Sequence, residues 1–115
     1  MGWRVDDAEF AFAEAVRRGA KPADESVRRF PWPAIYGIGD SLIYFIDTFG
    51  DKGSIYETEF VDLAEPVKVE DKGFLAIDHL TNNVEKGTME RWSSFYKGVF
   101  GFTEVRYFDI RGVKT

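Results

Sequence analysis

The sequence contains no cysteine, so it has neither a disulfide framework nor a thiolate nucleophile or metal ligand. That fits a reducing compartment, and the cytoplasm is the expected location. Histidine is nearly as scarce: His79 is the single one, so any imidazole chemistry rests on it. Cations are outnumbered, 15 Lys and Arg against 20 Asp and Glu, which leaves a net charge of −5. A phosphate backbone demands clustered Lys and Arg, so no nucleic-acid partner is expected. No apolar run approaches the ~20 residues that cross a bilayer, and no membrane partner is expected either. Met1-Gly2-Trp3-Arg4-Val5-Asp6 lacks the apolar stretch of a secretion signal. Asp6 also stands where a myristoylation pattern needs Ser or Thr.

Aromatic residues are abundant. Eleven phenylalanines, 17% aromatic and 44% apolar content indicate a globular, aromatic-rich interior, and 115 residues are one domain's worth of chain or a piece of something longer. A chain of this length buries roughly two-thirds of its unfolded surface.

Trp3-Arg4-Val5 reads as the stub of a strand. Asp6 or Asp7 then caps a helix, with Glu9 three residues after Asp6 as in a capping box. Ala8, Phe12, Ala15 and Val16 form its apolar stripe, Arg17 and Arg18 suit its negative end, and Gly19 stops it. Strands are expected at Val27–Phe30, at Ala34-Ile35-Tyr36 and at Ser41–Asp47, the last two joined across Gly37-Ile38-Gly39-Asp40 as a hairpin. The two glycines of that turn make no phosphate loop, because no third glycine and no Lys-Ser/Thr follow. Phe49–Ser54 is a turn, Phe60-Val61 a short strand, and the charged stretch 64–73 a linker.

Phe74–Val84 reads as a strand that carries His79. Alternation places Leu75, Ile77, His79 and Thr81 on one face and Phe74, Ala76, Asp78 and Leu80 on the other. Both faces are partly apolar, as in a strand covered on two sides. Asp78 is then not the acceptor for the His79 ring. From the residues alone, His79 is either a core imidazole bonded to a backbone carbonyl or a metal ligand whose partners come from distant segments. After Gly87-Thr88, the residues Met89, Trp92, Phe95, Tyr96, Val99 and Phe100 share one helix face and read as core packed on a sheet, and Gly101 ends the helix. A strand is expected over 102–110. Strand, helix and strand thus occur twice, as in a repeated β-α-β-β-β unit whose second copy lacks its later strands. The expectation is an α+β chain that is an excerpt of a longer one.

Three blocks carry a resemblance to a known family. They are Pro33–Asp47, Ile77–Val84 and Glu104–Gly112, joined by the helix-starting stretch Val5–Phe12. Together they resemble 4-hydroxyphenylpyruvate dioxygenases of the bacterial type, members of the vicinal oxygen chelate (glyoxalase-like) superfamily. The resemblance implies one near-complete and one truncated β-α-β-β-β module. Residues 1–63 resemble the second module of the N-terminal domain, 64–73 the linker, and 74–115 the opening β-α-β of the catalytic domain. It implies a non-haem Fe(II) enzyme that converts a 2-oxo acid, 4-hydroxyphenylpyruvate, and O2 to homogentisate and CO2 in tyrosine catabolism. His79 matches the first histidine of the family's 2-His-1-carboxylate iron site. The other two ligands match positions beyond Thr115, so weak or absent metal binding and no activity are expected of this chain alone. Thr81 and Asn83, on the His79 face, are candidates to line the substrate pocket. Two other readings stay open: a 4-hydroxymandelate synthase, and a non-catalytic module whose open sheet edges pair with a second copy as a homo-oligomer.

Overall fold

The computed structural model describes residues 1–106, and a three-stranded mixed sheet organises them. Strand β1 (Gly2–Arg4) runs parallel to β3 (Leu42–Ile46), with Trp3 opposite Phe45. Strand β2 (Ala34–Tyr36) is antiparallel to β3, with Ile35 opposite Ile43, giving the order β1-β3-β2. The connection between β2 and β3 is the expected hairpin. Its turn holds Gly39 and Asp40 at φ 61° and 58°, the left-handed conformation that a Gly-Asp pair tolerates.

Helix α1 (Ala8–Arg17) crosses between β1 and β2. Asp7 caps it by accepting from the Phe10 amide at 2.9 Å, so the box that would pair Asp6 with Glu9 does not form. A second carboxylate, Asp47 at the end of β3, accepts from the Ala8 amide at 3.3 Å, so the positive end of α1 sits over the sheet's edge. At the other end Gly19 takes φ 99°. The Gly19 and Ala20 amides close back onto the Val16 and Ala15 carbonyls at 2.9 and 3.0 Å, the two bonds of a Schellman stop.

The strand alternation divides the sheet into two faces. Trp3, Ile35, Ile43 and Phe45 point toward α1, where Ala8 and Ala15 complete the principal core. Helix α3 (Met89–Phe100), ended by Gly101 in the left-handed conformation, packs onto α1 and adds Val99 to that core. The Arg18 guanidinium donates to the Val99 carbonyl at 3.4 Å. Trp3 clusters with Phe100 and Phe102, tilted against the first at 4.5 Å and stacked on the second at 5.3 Å between ring centres. The opposite face carries Ala34, Tyr36, Leu42, Tyr44 and Ile46, with Phe30 and Trp32 folded over it.

Four expected strands are corrected. Val27–Phe30 is not a strand. Asp24 accepts from the Ser26 amide at 2.9 Å and starts a single 3-10 turn, Glu25–Val27, so local capping overrides the β-prone residues. Phe60-Val61 forms no strand. The preceding residues instead make a short helix α2 (Ile55–Thr58) capped by Ser54, which accepts from the Tyr56 amide. Phe74–Val84 is irregular and exposed, apart from a half-buried Val84, and pairs with no strand among the described residues. Residues 102–106 are not in a strand, and 107–110 of that expected strand lie outside the described residues. The architecture is therefore α+β, with the packed helices on one side of a small sheet.

Candidate functional site

His79 stands on the irregular segment between α2 and α3, with 76% of its side chain exposed. Its Nδ1 lies 2.7 Å from Oδ2 of Asp78, so the neighbour that strand geometry would have turned away is the ring's partner. The correction follows from the missing sheet: without pleated alternation, consecutive side chains can meet. With Nδ1 donating to the carboxylate, a neutral ring presents its Nε2 lone pair outward, the arrangement of a metal-binding imidazole held by a carboxylate. Thr81 and Asn83 are exposed on the same segment. Leu80 and Asn82, rather than these two, border a shallow hollow with Trp3, Tyr96, Phe102 and Lys97.

The donor type suits a metal, but the donor number does not make a site. Among the described residues no three His, Asp or Glu side chains come together in a group that could hold an ion. Iron of the facial-triad kind needs three protein donors, and His79 is one.

A separate concavity lies on the sheet face away from α1. A cavity of about 390 Å³ has Arg4, Tyr44 and Ile46 on its floor, Phe30 and Trp32 as one wall, and 48–60 folded over it. The Trp32 indole donates to the Thr48 hydroxyl at 3.3 Å, and the Arg29 amide donates to the Tyr44 hydroxyl at 2.9 Å, which fixes both rings. The Arg4 guanidinium sits 5.4 Å over the Phe49 ring. None of these residues stood out in the sequence as a site. The available signal was the strand alternation that places Arg4 and Tyr44 on the face opposite the half-buried Trp3 and the buried Phe45.

Elsewhere the charged groups serve the scaffold. Hydrogen bonds from Arg17 and then Arg18 hold the Glu14 carboxyl down to about 2 from an ordinary 4.5. Lys97 and Ser93 likewise lower Glu104, tying the chain after α3 back to that helix. Partial burial raises the Tyr96 hydroxyl. No helix among the described residues is long and apolar enough to cross a membrane.

Comparison with known proteins agrees with the sheet-and-helix module. A glyoxalase-type family model described as "Hydroxyphenylpyruvate dioxygenase, HPPD, N-terminal" matches residues 1–61. Protein MelA of Shewanella colwelliana is 68% identical over 115 residues, covering 100% of this chain and 33% of MelA. Hemolysin VllY of Vibrio vulnificus is 42% identical over 120 residues, and the 4-hydroxyphenylpyruvate dioxygenase of Pseudomonas aeruginosa 41% over 119, each again covering 100% of this chain and 33% of the relative. The chain thus spans about a third of the length of the curated relatives it matches. With its N-terminal module matched and similarity running along its whole length, the chain belongs to the hydroxyphenylpyruvate dioxygenase family.

Proposed function

We propose that this chain is part of a non-haem Fe(II) dioxygenase that converts 4-hydroxyphenylpyruvate and O2 to homogentisate and CO2, and that His79 is one of the iron ligands. The observation that carries the reading is similarity over the entire chain to relatives named 4-hydroxyphenylpyruvate dioxygenase, at 39–42% identity. The outward Nε2 of His79, opposite the Asp78 contact, supports the ligand role. Bound iron would supply the oxidising chemistry. This chain's part is one neutral imidazole. On this reading 74–115 opens the catalytic domain and 64–73 links it to the N-terminal module.

The test is homogentisate formation by a polypeptide of the relatives' full length that carries this chain, supplied with Fe(II) and 4-hydroxyphenylpyruvate. Turnover is expected to vanish in His79→Ala and to be absent from the 115-residue chain alone. Turnover that survives His79→Ala would remove His79 from the site. Hydroxymandelate as the product would replace the reaction with that of a 4-hydroxymandelate synthase.

A second reading, a module that associates with another copy of itself, is favoured by one observation. Val61, Phe74, Leu75 and Ile77 are almost fully exposed on a stretch with no sheet partner among the described residues. Exposed apolar, β-prone segments recruit other chains. Sedimentation equilibrium of the 115-residue chain tests it, and a monomer at all concentrations would sink it.

A further inference from the structure

The cavity on the open face of the sheet has a chemistry of its own. Its walls are aromatic: Phe30 meets Tyr44 edge-on at 5.6 Å, and Phe60 closes against Phe30 at 6.0 Å and Tyr56 at 5.2 Å. Two groups of opposite charge line the same space, Arg4 from β1 and Glu59 from the end of α2. Neither makes an ion pair with the other or with any described residue. Ligand sites take this form, a mostly apolar concavity of some hundreds of Å³ with a few placed polar groups.

We propose that this cavity binds a small aromatic α-amino acid. Its ring would lie among Phe30, Trp32 and Phe60, its carboxylate on Arg4 and its ammonium on Glu59. The ring supplies the apolar body that the walls require, since aromatic side chains pair favourably at offset and edge-on geometries. The guanidinium offers a planar fork for a carboxylate, held in place by its cation–π contact with Phe49. Both groups also reach water, so their charges choose among ligands rather than demand one: an aromatic hydrocarbon matches neither, an aromatic monoacid matches Arg4 alone, and an α-amino acid matches both. The site is independent of His79 and of iron, and stands or falls separately from the proposed reaction.

The chain carries three tryptophans, and Trp32 alone lines this cavity. The 15N-labelled chain therefore holds its own control in its three indole N–H signals. Titration with L-phenylalanine is expected to move the Trp32 signal saturably in the millimolar range or below, while Trp3 and Trp92 stay in place. 3-Phenylpropionate, which lacks the ammonium, and phenethylamine, which lacks the carboxylate, are each expected to bind about tenfold or more weakly, the loss of one charge-assisted contact. Arg4→Gln and Glu59→Gln are expected to weaken L-phenylalanine similarly, with unmoved Trp3 and Trp92 signals reporting an intact fold. If Arg4→Gln disturbs β1, Glu59→Gln on the overlying loop decides alone. No Trp32 shift at millimolar ligand, equal binding of all three compounds, or undiminished binding by Glu59→Gln would each overturn the assignment.

Discussion

His79 Nδ1 and Asp78 Oδ2 lie 2.7 Å apart, a contact between sequence neighbours rather than between residues brought together by the fold. It exists because the segment around it is not pleated into a sheet. The carboxylate holds the neutral ring in its Nδ1–H form. Nitrogen-15 NMR of neutral His79 is expected to report that tautomer, and Asp78→Ala to move the population toward Nε2–H. Because both side chains face solvent, the same substitution is expected to leave the urea unfolding midpoint unchanged. A predominantly Nε2–H ring in the unaltered chain would mean that the carboxylate does not position it.

Two isoleucines separate the packed part of the chain from the open part. Ile35 is fully buried between the sheet and α1, whereas Ile77 is 81% exposed. Ile35→Ala is expected to cost about 2–5 kcal/mol, from lost transfer energy and the cavity left behind. Ile77→Ala is expected to stay within about 0.5 kcal/mol, as surface changes do. Urea denaturation of both variants checks this, and comparable losses would mean that Phe74–Val84 is covered in solution.

Those two residues also show what the sequence could and could not convey. Helix α1 was legible end to end, because Asp7, the Ala8–Ala15 stripe and Gly19 are local signals that agree with one another. The β2–β3 hairpin was legible for the same reason, and so was α3 with Gly101 after it. Ser54-Ile55-Tyr56-Glu57 carries the pattern of a capped helix start, which outweighs the β-prone Phe60-Val61 that follows. Phe74–Val84 is a different failure. Its alternation states that two faces want cover, but period-two patterning names no partner, and a strand without a neighbour makes no ladder. The Asp78–His79 contact was hidden by that same assumption. Arg4 and Glu59 were invisible as a pair because the chain meets the same cavity at positions far apart in sequence.

Glu14 provides a pH test. Its hydrogen bonds to Arg17 and Arg18 pull the folded-state pKa to about 2, below the ordinary 4.5. A carboxyl whose pKa is depressed on folding contributes stability that is fully present above its unfolded value. That contribution is lost as pH falls through the folded one. The gap in unfolding midpoint between the unaltered chain and Glu14→Gln is therefore expected to be constant above about pH 5 and to close between about 4.5 and 2. Glu14 is partly covered but its partners Arg17 and Arg18 reach water, so the gap is expected to be small and to shrink with added salt. A gap that persists unchanged at pH 2 would show that Glu14 acts through packing rather than charge.

Trp3 joins the sheet to the second helix. It lies on the core face of β1, opposite Phe45, and its indole meets Phe100 at 4.5 Å, Phe102 at 5.3 Å and Tyr96 at 6.3 Å. Val99, the Arg18 bond to its carbonyl, the contact of Phe100 with Phe45 and the packing of Phe95 beside Phe100 hold α3 as well. Trp3 is half-buried, so Trp3→Ala is expected to cost at most about 3–5 kcal/mol, the range of large aromatic truncations in cores. The loss should fall unevenly: α3 amides should exchange with deuterium much faster, while α1 amides, fixed by Asp7, Asp47 and the Gly19 stop, keep more of their protection. Hydrogen exchange read residue by residue separates the two helices. Equal loss of protection in both would show that α1, α3 and the sheet open as one unit and that Trp3 is no special tether.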